Sequence, residues 1–148
     1  MEKAIKIYID SNVLIHYCTK VASIVEALNY VFLQRKKDKL FTSSLAIAQT
    51  IATLQSNRGD RKAYSKEKTL ELIKPLIDKL TVLDLTCSDI KKAMNIDNKD
   101  VEDNIHYVLS KKMKCDAILT RNTKDFPFLD VAIVQTIPLS FNLFNVST

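Results

Sequence analysis

The chain has 148 residues, the usual size of one domain, and we expect a single domain over residues 1–148. Hydrophobic residues make up 47% of it and charged residues 26%, which excludes a disordered protein. The only glycine is Gly59, which excludes a Walker loop and a Rossmann fingerprint, because both need several glycines to bring backbone amides up to phosphate.

The net charge of +5 favours an acidic partner, most often a nucleic acid. Basic residues cluster at 35–39, 58–68 and 111–114, although a solvated helix face is the favoured explanation of any one cluster. Polar residues interrupt the apolar stretches, so no membrane span is predicted. The first residues lack the organisation of a signal peptide and the three cysteines are scattered, so reduced thiols and a cytoplasmic location are expected.

Short apolar runs alternate with amphipathic segments along the chain. The patterns predict, in order, a strand at 5–9, helices at 11–19 and 21–37, a strand at 40–42, a helix from 43 or 44 to 54, a turn at 57–60, a helix to 79, a strand at 81–85, helices from 86 or 88 to 94 and at 101–113, strands at 117–120 and 131–135, and a terminal helix at 138–144. This alternation indicates an α/β fold with a mostly parallel central sheet flanked by helices.

Three local details are also predicted. Ser11 is a plausible cap for the first helix, and Pro75 should kink or split the helix in which it lies. The helix that ends at residue 54 is expected to turn the following side chains inward: Leu45, Ile47, Ala48, Ile51 and Ala52.

Polar side chains follow three of the predicted strands, at the edge where parallel sheets bind ligands. They are Asp10; Ser43 and Ser44, with Gln49 further along; and Thr120, Arg121 and Asn122, with Asp125 three residues later. The helix before the strand at 117–120 starts with Asp100, Glu102 and Asp103, and the N-terminus of this helix is expected at the same edge. Clustered carboxylates repel one another unless a cation or protons neutralise them, and an all-oxygen cluster suits Mg²⁺ or Mn²⁺.

Each of these residues also has a purely structural explanation. Asp10 and Asp100 are typical helix caps, Asp103 complements a helix dipole, and Asn122 and Asp125 suit a turn. Their joint arrangement favours the functional interpretation.

The chain has two histidines, His16 and His106, and no C-x-x-C pair, which makes a zinc site improbable. His106 is expected to be a helix-surface or packing residue rather than a catalyst.

Four segments, IYIDSNVLI, SSLAIAQTIATL, DVEDNIHYVLS and CDAILTRNTKDF, resemble the PIN domain in their order and spacing, and in particular the VapC-like toxins. The resemblance extends from Ile7 to about Pro138, and the last two segments together are its most specific part. It implies a PIN-like three-layer fold and metal-dependent cleavage of RNA, with acidic side chains holding Mg²⁺ or Mn²⁺. It also implies a small antitoxin as partner, and a homodimer.

The resemblance assigns roles residue by residue. Asp10 matches the first acid and Asp103 the third, Asn122 the position of a fourth acid, Ser11 and Asn12 the small polar pair, and Asp125 an accessory position. Asp10 and Asp103 would bind the ion, Asn122 and Asp125 would complete or orient its shell, and Asp100 would be accessory. Arg121 and Lys124 are the candidate RNA-binding residues.

Gln49 departs from the family pattern, because most active members carry an acid there. An amide offers a carbonyl oxygen without charge, so metal affinity should fall, and we expect this amide to turn toward Asp10. A non-catalytic PIN-like module that binds RNA or a protein is therefore the main alternative. IYIDSNV also resembles an aspartyl-phosphatase motif, but Asn12 stands where the general acid is needed, and the acid pair and phosphoacceptor of a receiver domain are not obvious.

Overall fold

The computed structural model describes residues 4–122 and the backbone of 132–135. Its centre is a five-stranded sheet in the order β3-β2-β1-β4-β5, and every pair of neighbours is parallel. The strands are β1 (Lys6–Ile9), β2 (Lys39–Ser43), β3 (Thr81–Leu83), β4 (Ala117–Thr120) and β5 (Ala132–Gln135). The helices are α1 (Ser11–Cys18), α2 (Ala22–Gln34), α3 (Ser44–Leu54), α4 (Lys66–Lys79), α5 (Cys87–Met94) and α6 (Val101–Lys112).

Helices cover both faces of the sheet. Side chains alternate between these faces along each strand, so one strand can contribute to the core on either side. Ile7 and Ile9 of β1 enter a large aliphatic core with α1 to α4, whereas Tyr8 between them enters a smaller core on the α6 side. The smaller core consists of Tyr8, Phe41, Leu109, Cys115 and Ile118. The predicted three-layer α/β fold is thereby confirmed.

Side-chain caps set where several helices begin. Asp10, not Ser11, caps α1, because Asp10 has extended backbone and its carboxylate accepts a 2.7 Å hydrogen bond from the Ser11 amide. Ser43 caps α3, and Thr86 caps α5 in a capping box with Asp89. Asp100 caps α6, as the sequence predicts.

The predicted inward face of α3 is partly wrong. Ala48 and Ala52 are exposed, whereas Thr50 is buried. Thr50 can be buried because its hydroxyl donates a 2.7 Å hydrogen bond to the Ala46 carbonyl, which satisfies the polar group within the helix.

Two further expectations about helices differ from the structure. α4 begins only at Lys66, after the cap at Ser65, and it continues through Pro75 without being split. Pro75 lies on the exposed side, where water can solvate the freed carbonyl. The predicted helix at 138–144 lies outside the described residues.

Two helices are each followed, two residues past their last residue, by a lysine in the left-handed conformation, where glycine is usual. Lys20 has φ of 65° after α1, and Lys114 has φ of 55° after α6. Beyond each lysine the next amide bonds back to the helix, Val21 to the His16 carbonyl and Cys115 to the Ser110 carbonyl, both at 2.9 Å.

None of the helices in the described part of the chain is long and apolar enough to span a bilayer.

Candidate active site

The candidate site lies at the carboxyl edge of the sheet, around Asp10. Asp10 directly follows β1 and is 5% exposed. One carboxylate oxygen accepts the Ser11 amide, and the other accepts a 2.8 Å hydrogen bond from the Thr120 hydroxyl at the end of β4. The central carboxylate is therefore fixed by a helix N-terminus and by the neighbouring strand.

The loop after β4 is tied to the start of α1. Asn12 donates a 3.2 Å hydrogen bond to the Thr120 hydroxyl, and its carbonyl oxygen accepts the Arg121 amide at 3.2 Å. The Asn122 amide also bonds Thr120, at 3.1 Å, while the Asn122 side chain is exposed. Thr120 and Asn12 thus position the loop, roles that spacing alone did not assign. The predicted site residues Lys124 and Asp125 lie outside the described residues.

The first turn of α6 brings acidic side chains toward the same edge. Asp100 accepts a 3.1 Å hydrogen bond from the Asp103 amide, and Asp103 is half-buried. His106, three residues after Asp103, lies on the same helix face one turn further along. Since the ring nitrogen Nε2 of His106 lies 3.6 Å from Asp10 Oδ1, this face of α6 is directed at Asp10.

His106 is itself part of the site, contrary to the expectation of a surface or packing residue. It is 1% exposed, and its Nδ1 lies 2.7 Å from the hydroxyl of Tyr8. Burial lowers the pKa of His106 below its ordinary value, although the charges of Asp10, Glu102 and Asp100 act in the opposite direction. Its position one helical turn after Asp103 was the available sequence signal.

Tyr8 is a second residue that the sequence did not mark. Its hydroxyl lies between His106 and the Ser43 hydroxyl, 2.7 Å from each hydrogen-bonding atom. Burial raises the pKa of Tyr8, so the phenol stays protonated. Ser43, Tyr8 and His106 form one buried hydrogen-bonded chain across the α6 side of the sheet.

The Gln49 amide, which the sequence predicts to turn toward Asp10, bonds two other side chains of this site. Gln49 Oε1 lies 3.1 Å from His106 Nε2, and Gln49 Nε2 donates to a Glu102 carboxylate oxygen. The amide takes this orientation because the imidazole offers a donor and Glu102 offers an acceptor. His106 Nε2 thus lies close to both the Asp10 carboxylate and the Gln49 amide oxygen.

The oxygen donors at this edge suit a divalent ion that keeps several waters. Mg²⁺ typically needs only one or two protein carboxylates, and Asp10 and Asp103 are directed to the same edge. Asp10 accepts two strong hydrogen bonds but retains lone pairs for a cation. Among the residues described here, no three His, Cys, Asp or Glu side chains form a group that could hold a metal ion. The residues thus fit an ion held by few protein ligands.

The chain matches the profile of one protein family and is similar to a ribonuclease over most of its length. The profile of the PIN domain family matches residues 7–133. Ribonuclease VapC1 of Aquifex aeolicus (strain VF5) is 29% identical, and the alignment covers 88% of this chain and 90% of that protein.

Solved structures agree in fold. DNA-bound VapBC from Salmonella typhimurium has a TM-score of 0.66 at 17% identity over 89% of this chain and 98% of that one. VapBC2 from Rickettsia felis, bound to a DNA fragment from their promoter, has a TM-score of 0.65 at 13% identity, and covers 88% and 98%. FitAcB from Neisseria gonorrhoeae has a TM-score of 0.61 at 16% identity, with the same coverage. The resemblance noted in the sequence is confirmed, and the chain belongs to the PIN domain family.

Proposed function

We propose that this protein is a divalent-metal-dependent endoribonuclease and the toxin of a toxin–antitoxin pair. The observation that carries the proposal is the buried Asp10 carboxylate at the carboxyl edge of β1, held by Thr120 and facing the first turns of α6. The similarity to Ribonuclease VapC1 over most of both chains supports cleavage of RNA.

In this proposal Asp10 and Asp103 hold Mg²⁺ or Mn²⁺. A bound ion of this kind polarises a phosphate oxygen and lowers the pKa of a coordinated water. Thr120 and the Ser11 amide fix the direction of the Asp10 carboxylate, and Asp100 sets the position of Asp103 by capping α6. Asn122 and Asp125 complete or orient the shell.

A basic groove beside the site supports RNA as the substrate. Asn12, His16, Arg58 and Arg61 line it, and Asn12 joins it to the loop that carries Arg121. Burial, and then the charge of Arg121, lowers the pKa of His16, so this guanidinium acts at the edge of the groove. We propose that Arg121, Lys124 and the groove arginines hold the RNA backbone, which makes binding dependent on salt.

We propose a small antitoxin as the protein partner. The solved relatives from Rickettsia felis and Salmonella typhimurium are VapBC proteins bound to DNA, which supports an assembly of this type. A homodimer is proposed from the family resemblance alone.

Cleavage of a mixed RNA substrate by the purified full chain tests the function. We expect cleavage with Mg²⁺ or Mn²⁺, none with excess EDTA, and a loss of more than about 100-fold in Asp10→Asn, since metal ions contribute several kcal/mol to such reactions. Asp78→Asn, an exposed acid on α4, is the matched control and should retain the wild-type rate. Equal cleavage by wild type and Asp10→Asn would refute the proposed site.

The orientation of Gln49 favours one second candidate, a PIN module that binds RNA without cutting it. The amide occupies the position of the usual second acid and is engaged by His106 and Glu102. Salt-dependent RNA binding by the wild type, with no cleavage at millimolar Mn²⁺ and no effect of Asp10→Asn, would support this candidate.

A further inference from the structure

Three side-chain atoms of the kinds that bind metal ions lie close together on the α6 side of Asp10. His106 Nε2 lies 3.6 Å from Asp10 Oδ1 and 3.1 Å from Gln49 Oε1. Ligands that share an ion at about 2.1 Å are separated by about 3.0 Å in octahedral and about 3.4 Å in tetrahedral geometry. Both separations are therefore close to those of two ligands on one ion.

The contact between Asp10 and His106 is not a hydrogen bond. A separation of 3.6 Å is too long, and the Nε2 proton is directed to the closer Gln49 oxygen. This direction follows because Gln49 uses its NH₂ group on Glu102, which leaves only its carbonyl oxygen for the imidazole. A carboxylate oxygen and a ring nitrogen therefore face each other without a direct bond.

We infer that His106 Nε2 is a ligand of the divalent ion, together with Asp10 Oδ1 and Gln49 Oε1. The inference rests on the metal dependence proposed above and adds a nitrogen ligand to it. Imidazole favours the later transition-metal ions such as Co²⁺ and Zn²⁺, Mg²⁺ prefers oxygen ligands, and Mn²⁺ is intermediate. The ion that this site selects is accordingly Mn²⁺, Co²⁺ or Zn²⁺ over Mg²⁺.

The buried chain behind His106 supplies the support that a histidine ligand needs. Histidines on metals generally donate their other ring N–H to a neighbouring group. The Tyr8 oxygen, 2.7 Å from Nδ1, can accept that proton and donate its own to Ser43, because either hydroxyl of this pair can be the donor. The same atoms therefore satisfy both tautomers of His106, the one that bonds Gln49 and the one that leaves Nε2 free.

The pairing also gives Gln49 a role. With a neutral imidazole and a neutral amide beside Asp10, the site holds less negative charge than an acid at position 49 would give. Weak charge lowers affinity for Mg²⁺, while the nitrogen donor retains affinity for transition metals. Gln49 and His106 act as one unit in this arrangement.

The test measures metal binding by the metal-free full chain. Calorimetry measures the binding of Mg²⁺ and Mn²⁺, and visible absorption measures the binding of Co²⁺. We expect wild type to bind Co²⁺ at least tenfold more tightly than Mg²⁺, with Mn²⁺ affinity between the two. His106→Gln should lose at least tenfold in Co²⁺ affinity and change the Co²⁺ spectrum, with Mg²⁺ affinity within twofold of wild type. His16→Gln, which replaces the only other histidine, is the matched control and should keep the wild-type Co²⁺ affinity and spectrum.

A second measurement needs no substitution in the buried site. In ¹⁵N NMR of the wild type, Zn²⁺ should shift the Nε2 resonance of His106 and leave that of His16 in place.

A third measurement tests the support behind His106. Tyr8→Phe should weaken Co²⁺ binding about tenfold or more, because it removes the partner of Nδ1. An unshifted His106 resonance at saturating Zn²⁺, or identical Co²⁺ affinity in wild type and His106→Gln, would overturn the inference.

The outcomes separate this inference from the proposed function. Metal-dependent RNA cleavage with an unshifted His106 would leave the function standing and refute the nitrogen ligand. A shifted His106 without any RNA cleavage would support the ligand and refute the nuclease. No binding of any divalent cation at millimolar concentration would refute both.

Discussion

The two faces of the sheet differ in what they bury. The face covered by α1 to α4 buries an aliphatic core that includes Ile7, Ile9 and Leu28. The face covered by α6 has a much smaller core and buries polar groups, the chain of Ser43, Tyr8 and His106. One strand, β1, serves both faces through alternate side chains. Burial of apolar side chains therefore stabilises the first face, whereas on the second face hydrogen bonds fix the positions of the side chains that lie next to Asp10.

The largest effect should come from truncating the aliphatic core. Leu28 on α2 is fully buried, so Leu28→Ala should lower the free energy of unfolding by about 2–5 kcal/mol. Leu33→Ala on the same helix is the control, because Leu33 is 65% exposed and should cost about 0.5 kcal/mol or less. Urea unfolding measures both, and equal losses would contradict the assignment of the core.

Removing one hydroxyl tests the polar face. Tyr8→Phe leaves Ser43 and His106 without a shared partner in a buried site, so it should cost about 1–3 kcal/mol of unfolding free energy. Tyr17→Phe is the control, because the Tyr17 hydroxyl makes one bond, 2.9 Å to Asn29, in a half-buried position. If thermal unfolding shows no larger loss for Tyr8→Phe than for Tyr17→Phe, the buried chain contributes nothing to stability.

The sequence predicted the architecture well because that information is local. Apolar runs mark the strands at 117–120 and 5–9, and a Ser or Asp marks a helix start. The errors arise where a polar group decides burial. Thr50 is buried because it bonds its own helix, and Asp10 rather than Ser11 caps α1 because the carboxylate reaches the next amide.

The site was predicted less completely, because its contacts join distant positions. Asp10 and the opening of α6 follow from strand ends and helix starts. The contact between Tyr8 and His106 joins residues 98 positions apart, and neither side chain carries a local signal of its partner. The orientation of Gln49 depended on that unseen imidazole.

A substitution at the edge of the polar face should change charge balance. Gln49→Glu places a carboxylate beside Glu102, so the apo protein should lose about 1 kcal/mol of stability. Mn²⁺ should bind about tenfold more tightly, because the new ligand is charged, and RNA cleavage should be faster. Adding Glu102→Gln should restore apo stability without reducing the gain in affinity. Equal Mn²⁺ affinity in Gln49→Glu and wild type would exclude residue 49 from the metal shell.

The smallest expected effect is the pH-dependent contribution of Asp89, on α5, to the free energy of unfolding. Burial alone would raise the pKa of Asp89, but hydrogen bonds from Thr86 and Lys112 outweigh it and hold the pKa below its ordinary value. A depressed pKa contributes stability above the unfolded value, near pH 4, and that stability is lost as the pH falls through the folded value.

Asp89→Asn should therefore cost about 0.5–1.5 kcal/mol at pH 7 and nothing at a pH below the folded pKa. Asp84→Asn, at an exposed position after β3, is the control and should cost about 0.5 kcal/mol or less at pH 7. Urea unfolding across this pH range measures the difference, and a constant cost for Asp89→Asn would contradict the assigned ionisation.

The two lysines with positive φ mark positions where a substitution should stabilise this protein. A left-handed L-residue costs about 1–2 kcal/mol relative to glycine, part of which glycine gives back through its greater freedom in the unfolded chain. Lys20 and Lys114 follow helices that run away from the carboxyl edge, so both lie at the opposite edge of the sheet from Asp10. A designer could introduce glycine at either position and raise the melting temperature without redesigning any part of the polar edge.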